Sequence, residues 1–338
     1  MLRKPIVRVI GQSGGDLFPA WSGKGLISAS FLDNDGGEAD EIEFEFSISP
    51  PFPDSPAEGT KYRFLYGWSE HSLRDAGLFT YQSDRLGGDP ESGYTMAITA
   101  RSADFVDADK EESSEHFDDK TAGEIFRQIA ARSGKSAIVH PSIENIRLPY
   151  RLRWRQSPTA FAQDLASELG GTVKYANNTL LVPRRNSGQT ASGQTLPTII
   201  IPFKDDQSFE ISSEAKGKFK ESSTGWFDPI SGLGKFFDGT SIGSAGRYVS
   251  LHPARSEAEA ELTGKAEIAE AARASVSGSF DADGDPDAMA GAPAKLQGYG
   301  ASRDAADLVA SSIQHTFTFD DSGGWIMSIE VANREAKA

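Results

Sequence analysis

The segment from Phe117 to Arg185 places the strongest constraint on the fold, because its apolar spacing is clearly helical. Thr121 and Glu124 form a capping box, in which the hydroxyl accepts from a first-turn N–H and the carboxylate reaches back to the cap. The apolar stripe that follows has helical spacing; it consists of Ile125, Phe126, Ile129 and Ala130. Gly134 suits the left-handed residue that ends a helix. The pattern therefore predicts a helix between Thr121 and Gly134.

A second unit repeats this plan. Ser157 is the predicted N-cap, and Pro158 takes the first helical position, where its missing N–H costs little. An apolar face and a pair of glycines follow, namely Phe161, Leu165, Leu169 and Gly170-Gly171. A β-hairpin is predicted next over residues 172–182, with its turn at Asn177-Asn178. The middle of the chain is thus predicted to be two tandem helix–strand units, inserted between two β-rich arms.

The charge and composition of the 338 residues exclude several classes of protein. The chain has room for two or three domains. A net charge of -15 favours repulsion of phosphate backbones, so sequence-specific nucleic-acid binding is not expected. The absence of cysteine excludes disulfides, thiolate metal ligands and a cysteine nucleophile. We see no secretory signal and no apolar run near the roughly 20 residues that a membrane helix needs, and we expect a protein made in the cytoplasm.

The first arm, residues 1–107, has the pattern of short β-strands. Glu41 to Ile48 alternates between apolar and acidic residues, which is typical of a strand with one buried and one wet face. Further strands are predicted at Pro5–Ile10, Leu26–Leu32, Tyr62–Trp68, Gly77–Tyr81 and Tyr94–Ala100. Many short strands with little helix indicate a closed barrel or a sandwich. The acidic face is either a solvated outer surface or the wall of a water-filled, negatively charged channel.

The second arm, residues 189–338, is also predicted to be mainly β. Strands are predicted at Thr198–Phe203 and Ser208–Ser212. We expect a long, partly ordered loop over Gly217–Gly246, whose aromatic residues form a contact surface or pack on their own barrel. A surface helix is predicted over Ser256–Val276, because alanine, glutamate and lysine dominate it.

Two sets of motifs follow one another in a fixed order along the chain. The first set is Asp104-Phe105 after a strand, Lys120-Thr121 at a helix cap and Pro149-Tyr150 before the second helix. The second set is Gly284, Gly291, Gly298, His315 and Gly324, spaced along a meander of strands. This order resembles the phage late control D family, the baseplate hub proteins of contractile tails, which are similar to the hub portion of type VI secretion VgrG spikes.

The resemblance implies a fold, an assembly and a set of partners. It implies two similar, tail-tube-like β-barrel domains, at 1–107 and 189–338, flanking an α/β insert at 108–188. It also implies a homotrimer whose six barrels form a pseudo-sixfold ring between a hexameric tail tube and a trimeric spike. The implied partners are the spike protein, the tube protein and other baseplate subunits. The protein would be a structural component of a virion or injection particle, assembled in the bacterial cytoplasm, with no enzymatic activity and no cofactor. An acidic lumen that lets DNA pass is a separate hypothesis.

Candidate sites for chemistry are weak in this sequence. Asp281, Asp283 and Asp285 resemble a calcium loop, but an EF-hand needs glycine at its sixth and glutamate at its twelfth position, where Pro286 and Ala292 stand. We therefore predict a solvated turn and no metal. The five histidines show no HExxH spacing, and no G-x-S-x-G elbow occurs. His315 lies within a predicted strand, where a structural hydrogen bond is the expected role.

Two questions stay open at this stage. Six arginines make the middle locally basic, either through salt bridges to neighbours or as a docking face for an acidic partner; they are Arg147, Arg151, Arg153, Arg155, Arg184 and Arg185. Asp and Glu are numerous, so a carboxylate pair for glycoside cleavage is conceivable. The alternatives to a hub are thus a tail-associated cell-wall glycosidase and a carbohydrate-binding module.

Overall fold

The first arm is an antiparallel sheet that matches the predicted strands closely. The computed structural model describes residues 4–103, 111–213, 221–240, 246–251, 253–273, 276–319 and 324–334. The elements of the first arm are β1 (Pro5–Ile10), α1 (Phe18–Ser22), β2 (Leu26–Asn34), β3 (Glu41–Ile48), β4 (Lys61–Trp68), β5 (Arg74–Asp89) and β6 (Gly93–Arg101). They pair in the order β1-β4-β5-β6-β3-β2. Strand β5 is much longer than predicted, because its outer half is polar and glycine-containing and carries no apolar alternation.

The alternation in β3 has the predicted physical basis. Ile42 and Phe44 are fully buried, and each such side chain contributes roughly 1.5–3 kcal/mol to stability. The glutamates on the opposite face are partly exposed and contact polar neighbours on adjacent strands. Glu41, for example, accepts from Arg101 Nε at 2.8 Å. One face of β3 therefore forms core, and the other is a polar surface.

The insert contains both predicted helices and the predicted hairpin. Its elements are β7 (Ser113–Thr121), α2 (Ala122–Arg132), β8 (Ser136–Val139), α3 (Pro141–Glu144), β9 (Arg147–Gln156), α4 (Pro158–Glu168), β10 (Lys174–Ala176) and β11 (Thr179–Val182). Both hydrogen bonds of the predicted capping box form. Glu124 N donates to Thr121 Oγ1 at 3.2 Å, and Thr121 N donates to Glu124 Oε2 at 2.7 Å. Gly134 ends α2 with φ +68°. The antiparallel pair β7–β9 was not predicted, because its residues are mostly polar.

The second arm contains a hairpin where the sequence suggested a loop. Its elements are β12 (Ile199–Pro202), β13 (Phe209–Ser213), β14 (Glu221–Asp228), β15 (Leu233–Thr240), β16 (Arg247–Val249), α5 (Glu257–Arg273), β17 (Val276–Asp283), β18 (Pro293–Gln297), α6 (Ala301–Asp304), β19 (Leu308–Thr318) and β20 (Trp325–Asn333). The expected loop over Gly217–Gly246 is wrong for residues 221–240, since β14 and β15 pair antiparallel over eight residues each. Frequent glycine and serine concealed the strand pattern. The predicted surface helix is α5.

Both arms belong to one sheet, which is joined where β2 pairs with β19. Its path runs β1-β4-β5-β6-β3-β2-β19-β20-β17-β13, with β18 and β12 attached beside β19. Strands β5, β6, β3 and β2 on one side of the join have counterparts β13, β17, β20 and β19 on the other, all antiparallel to their neighbours. The prediction of a mainly β chain with an α/β insert is confirmed. The expected barrel closure is not seen in the pairing of the described strands, because β2 pairs with the other arm and not with β1.

Three hydrophobic cores correspond to the first arm, the insert and the second arm. The first-arm core contains Phe44, Phe64 and Phe79 and also takes Phe317 and Trp325 from the second arm. The insert core packs α2 and α4 on β8 and β11, and the second-arm core forms around β19 and β20. Among the described helices, none combines the length and the apolar character that a membrane crossing needs.

Candidate assembly surfaces

The described residues of the first motif set support the structure of the insert. Asp104 and Phe105 lie outside the described residues. Lys120 donates to Gln128 Oε1, and Thr121 caps α2. Pro149 and Tyr150 lie on β9, where the Tyr150 hydroxyl is 2.8 Å from Nδ1 of His116 on β7. These contacts stabilise the start of α2 and the β7–β9 pair.

The second set of motif residues holds the turns of the second arm. A Cβ at Gly284 would overlap the Trp325 ring, so only glycine allows this approach. Gly291 and Gly298 have φ of +83° and +93°, the left-handed region that glycine enters without penalty. Gly324 N donates to Thr318 Oγ1 at 3.1 Å between β19 and β20. These positions are spread along the arm, at separate turns and strands.

His315 is buried in the first-arm core, although it lies on β19. Trp325 Nε1 donates to its Nδ1 at 3.2 Å, and its ring stacks on Phe31 at 5.7 Å between centroids. Because Nδ1 accepts, the neutral ring carries its proton on Nε2, which has no hydrogen-bond partner. Burial lowers the pKa of His315 to about 4. The residue therefore packs as a neutral ring.

Replacing His315 with glutamine is expected to reduce the loss of stability between pH 6.5 and pH 4. A histidine whose folded pKa is lowered from 6.5 to about 4 adds stability that is complete above pH 6.5 and is lost as pH falls through that window. The lost contribution is about 3 kcal/mol. Urea unfolding at pH 7 and pH 4 measures it, with the exposed His71→Gln as control. An equal acid loss in both variants would contradict the assignment.

The arginines of β9 are engaged mainly within the chain. Arg147 pairs with Asp119 at 2.7 Å on the surface, where both side chains are 67% exposed. Arg151 is buried and donates to Glu259 Oε1 of α5 at 2.7 Å and also to Glu168. Arg153, likewise buried, donates to Ser113 Oγ at 2.6 Å and pairs with Glu115 Oε2 at 3.4 Å. The salt-bridge interpretation therefore holds for these three arginines.

A buried cluster joins all three parts of the chain, and we call Lys174, Asp33 and Asp40 the junction cluster. Lys174 Nζ from β10 contacts Asp33 and lies 3.0 Å from Asp40 Oδ1; both carboxylates belong to the first arm. The second oxygen of Asp33 accepts from the N–H of Ala290 in the second arm at 2.9 Å. Burial raises the pKa of Asp40 to about 6, against the opposing effect of the Lys174 charge. The cluster ties the insert to both arms.

The small sheet β15-β14-β16 presents exposed apolar residues. Phe227 and Phe236 project from the same face and are each 59% exposed, and Val249 on β16 is 55% exposed. At the tip, Ile230 is 96% exposed. The opposite face packs on α5, where Phe237 lies against Gly264. Because exposed apolar residues of this kind are typical of interaction sites, this sheet is a candidate assembly surface.

The aspartates that resemble a calcium loop are held by local contacts. Asp281 accepts from Ser328 Oγ at 3.0 Å, and Asp283 accepts from Lys204 Nζ and from Gln207. Asp285 accepts from the N–H of Asp287 at 2.9 Å. Within the ranges that the structure describes, no group of three or more His, Asp or Glu side chains is arranged to hold a metal ion.

Comparison with known proteins gives consistent relatives in sequence and in fold. The chain is 29% identical over 201 residues to the probable baseplate hub proteins of Escherichia phages 186 and P2. The aligned residues make up 60% of this chain and 51% of each relative. The chain thus spans about half the length of these curated relatives. No protein-family model matches it.

Solved structures share the fold over nearly the whole chain. The 43 kDa tail protein of prophage MuSo2 from Shewanella oneidensis has a TM-score of 0.70, with 15% identity and coverage of 98% of this chain and 99% of its own. A tail protein from Neisseria meningitidis MC58 has a TM-score of 0.68 at 12% identity, covering 97% and 96%. A type VI secretion component of E. coli has a TM-score of 0.58 at 8% identity, covering 92% and 75%. The resemblance seen in the motifs is thus confirmed: the chain is related in sequence to phage baseplate hub proteins and has the fold of phage tail proteins.

Proposed function

We propose that the chain is a structural hub protein of a contractile tail or injection particle. Its relationship over 201 residues to two probable baseplate hub proteins carries the proposal. The fold supports it, because the matched structures are named as tail or secretion-system proteins. The glycosidase and carbohydrate-binding alternatives gain no support from these names. We place the protein in the tail baseplate of the assembled particle.

We propose further that three copies form a pseudo-sixfold ring between a hexameric tube and a trimeric spike. The repeated strand order on the two sides of the β2–β19 pairing supports this arrangement, because each chain then offers two similar units. Heterologous contacts close into a ring when the rotation per unit fits. The three-part division at residues 107 and 188 belongs to this proposal.

The proposal is tested by mass and by co-purification. Native mass measurement of the protein mixed with its spike is expected to show three copies of the 36.3 kDa chain. Affinity purification of the tagged chain from cells that produce the particle is expected to recover spike and tube proteins. A monomer in the presence of spike, together with recovery of neither partner, would overturn the proposal.

A further inference from the structure

The hairpins β5–β6 and β14–β15 end in turns of nearly identical sequence. Residues 89–93 read Asp-Pro-Glu-Ser-Gly, and residues 228–232 read Asp-Pro-Ile-Ser-Gly. The two pentapeptides differ only in their central residue. Sequence similarity alone is weak here, because aspartate, proline, serine and glycine are all common in turns. The geometry and the position of the turns add independent support.

The two turns share two hydrogen bonds to the aspartate side chain. In the first, Asp89 Oδ1 accepts from the N–H of Glu91 at 2.8 Å, and its other oxygen accepts from the Ser92 hydroxyl. In the second, Asp228 Oδ1 accepts from the N–H of Ile230 at 3.0 Å, and Oδ2 accepts from the Ser231 hydroxyl at 2.6 Å. The last glycine has φ +84° in one turn and +69° in the other. After the first turn, strand pairing resumes at Gly93, the last residue of the pentapeptide. After the second turn it resumes at Leu233, one residue beyond the pentapeptide.

The turns also follow corresponding strands along the chain, although β14 and β15 belong to a separate small sheet. Strands β5 and β6 correspond to β13 and β17 across the β2–β19 pairing. Along the chain, the first turn lies between β5 and β6. The second turn lies between β13 and β17, the counterparts of β5 and β6, because β14 follows β13 and β15 precedes β17. The segment between β15 and β17 adds β16 and α5. Each arm therefore carries one copy of the same turn between corresponding strands.

The central side chains of both turns point into solvent. Glu91 is exposed, and Ile230 is 96% exposed. Near the second turn, Leu233 and Phe236 are 64% and 59% exposed, whereas the outer part of β5 is mostly polar. The two turns thus share a backbone shape and differ in chemistry, one acidic and one apolar.

We infer that these turns are one contact element presented twice by each chain, and that both dock on the ring of identical tube subunits, one turn for each subunit site. The inference rests on the proposed function, in which three chains present six turns. Two turns of equal shape suit a partner that repeats the same site, because each chain then occupies two neighbouring copies. Ile230 provides an apolar contact at one site, and Glu91 provides a polar contact at the next.

The absence of cysteine makes a direct test possible, because any introduced thiol is the only one in this chain. Glu91→Cys and Ile230→Cys are labelled with a maleimide in the free protein and in assembled tails. Both thiols are expected to react at least tenfold more slowly in tails, and to react fully once the same tails are denatured. Protection of one thiol, or of neither, in tails that contain the variant would overturn the inference while leaving the proposed function intact.

A second measurement does not depend on assembly in cells. Binding of purified tube protein to the hub is expected to weaken at least tenfold for Ile230→Asp. Ile138→Asp, an exposed apolar position on β8 of the insert, serves as the matched control and is expected to bind like the unmodified protein. Binding of Ile230→Asp equal to that of the control would contradict the inference, whatever the labelling of tails shows.

Discussion

Replacing Lys174 with methionine is expected to lower the free energy of unfolding by about 3–5 kcal/mol. Methionine keeps an unbranched apolar stem but removes the charge that faces Asp33 and Asp40, which are 7% and 3% exposed. Two buried carboxylates would then lie without their cation. The loss is measured by urea unfolding at pH 8. Lys265→Met, which removes an exposed pair with Glu261, is the control, and we expect it to cost under about 1 kcal/mol.

The pH dependence of this variant gives a second, independent check. The folded pKa of Asp40 is about 6, above its ordinary 3.8, so its stabilising contribution is present at low pH and is lost as pH rises through 6. Lys174 lowers this pKa, and its removal therefore raises the pKa further. The cost of Lys174→Met should be larger at pH 8 than at pH 5, and adding Asp40→Asn should recover part of it. A cost that is independent of pH would contradict this explanation.

The second large effect is expected for Arg151→Met, which we estimate to destabilise the fold by about 3 kcal/mol. The side chains of Arg151 and Glu259 are 8% and 5% exposed, so removal of Arg151 takes one of two cations from a buried carboxylate. Arg255 still contacts that carboxylate, through its backbone N–H at 2.9 Å and its guanidinium at 3.2 Å, which places the cost at the lower end of the range. Helix α5 would also lose a link to the insert, and its amide hydrogens should exchange faster.

Arg147→Met is the matched control for this prediction. Both arginines lie on β9, but the Arg147 pair with Asp119 is exposed, so solvent screens it and its loss is expected to cost much less than the loss of the Arg151 pair. Urea unfolding of the two variants compares a buried and an exposed pair on one strand. Equal losses in the free energy of unfolding would show that burial does not increase the contribution of the Arg151 pair to stability.

Local structure could be read from the sequence wherever one residue type dictates geometry. Thr121, Glu124 and Gly134 mark the ends of α2, because caps depend on only a few neighbouring residues. Both ends of strand β3 could be predicted from the alternation of acidic and apolar residues alone. By contrast, the buried positions of β14 are serine and threonine, and the outer half of β5 is exposed and polar, so no apolar core-facing pattern marks either segment.

Long-range features could not be predicted in this way. The pairing of β2 with β19 joins segments far apart in the chain, and nothing in either strand specifies its partner. The junction cluster was missed for the same reason, since Lys174 and Asp33 are ordinary charged residues until the fold buries them together. The repeated pentapeptides at 89–93 and 228–232 can be seen in the sequence. Their corresponding positions in the two arms become clear only from the strand order of the sheet.

The pairing of β2 with β19 has a consequence for how the protein matures on the ribosome. Domains usually fold in the order in which they are synthesised. Here the core of the first arm includes Phe317 and Trp325, which emerge after nearly all of the described chain. We expect the nascent first arm to stay incomplete, with the edge of β2 unpaired and prone to aggregation, until β19 and β20 have been synthesised. Both arms are then completed in a single step that depends on these two strands.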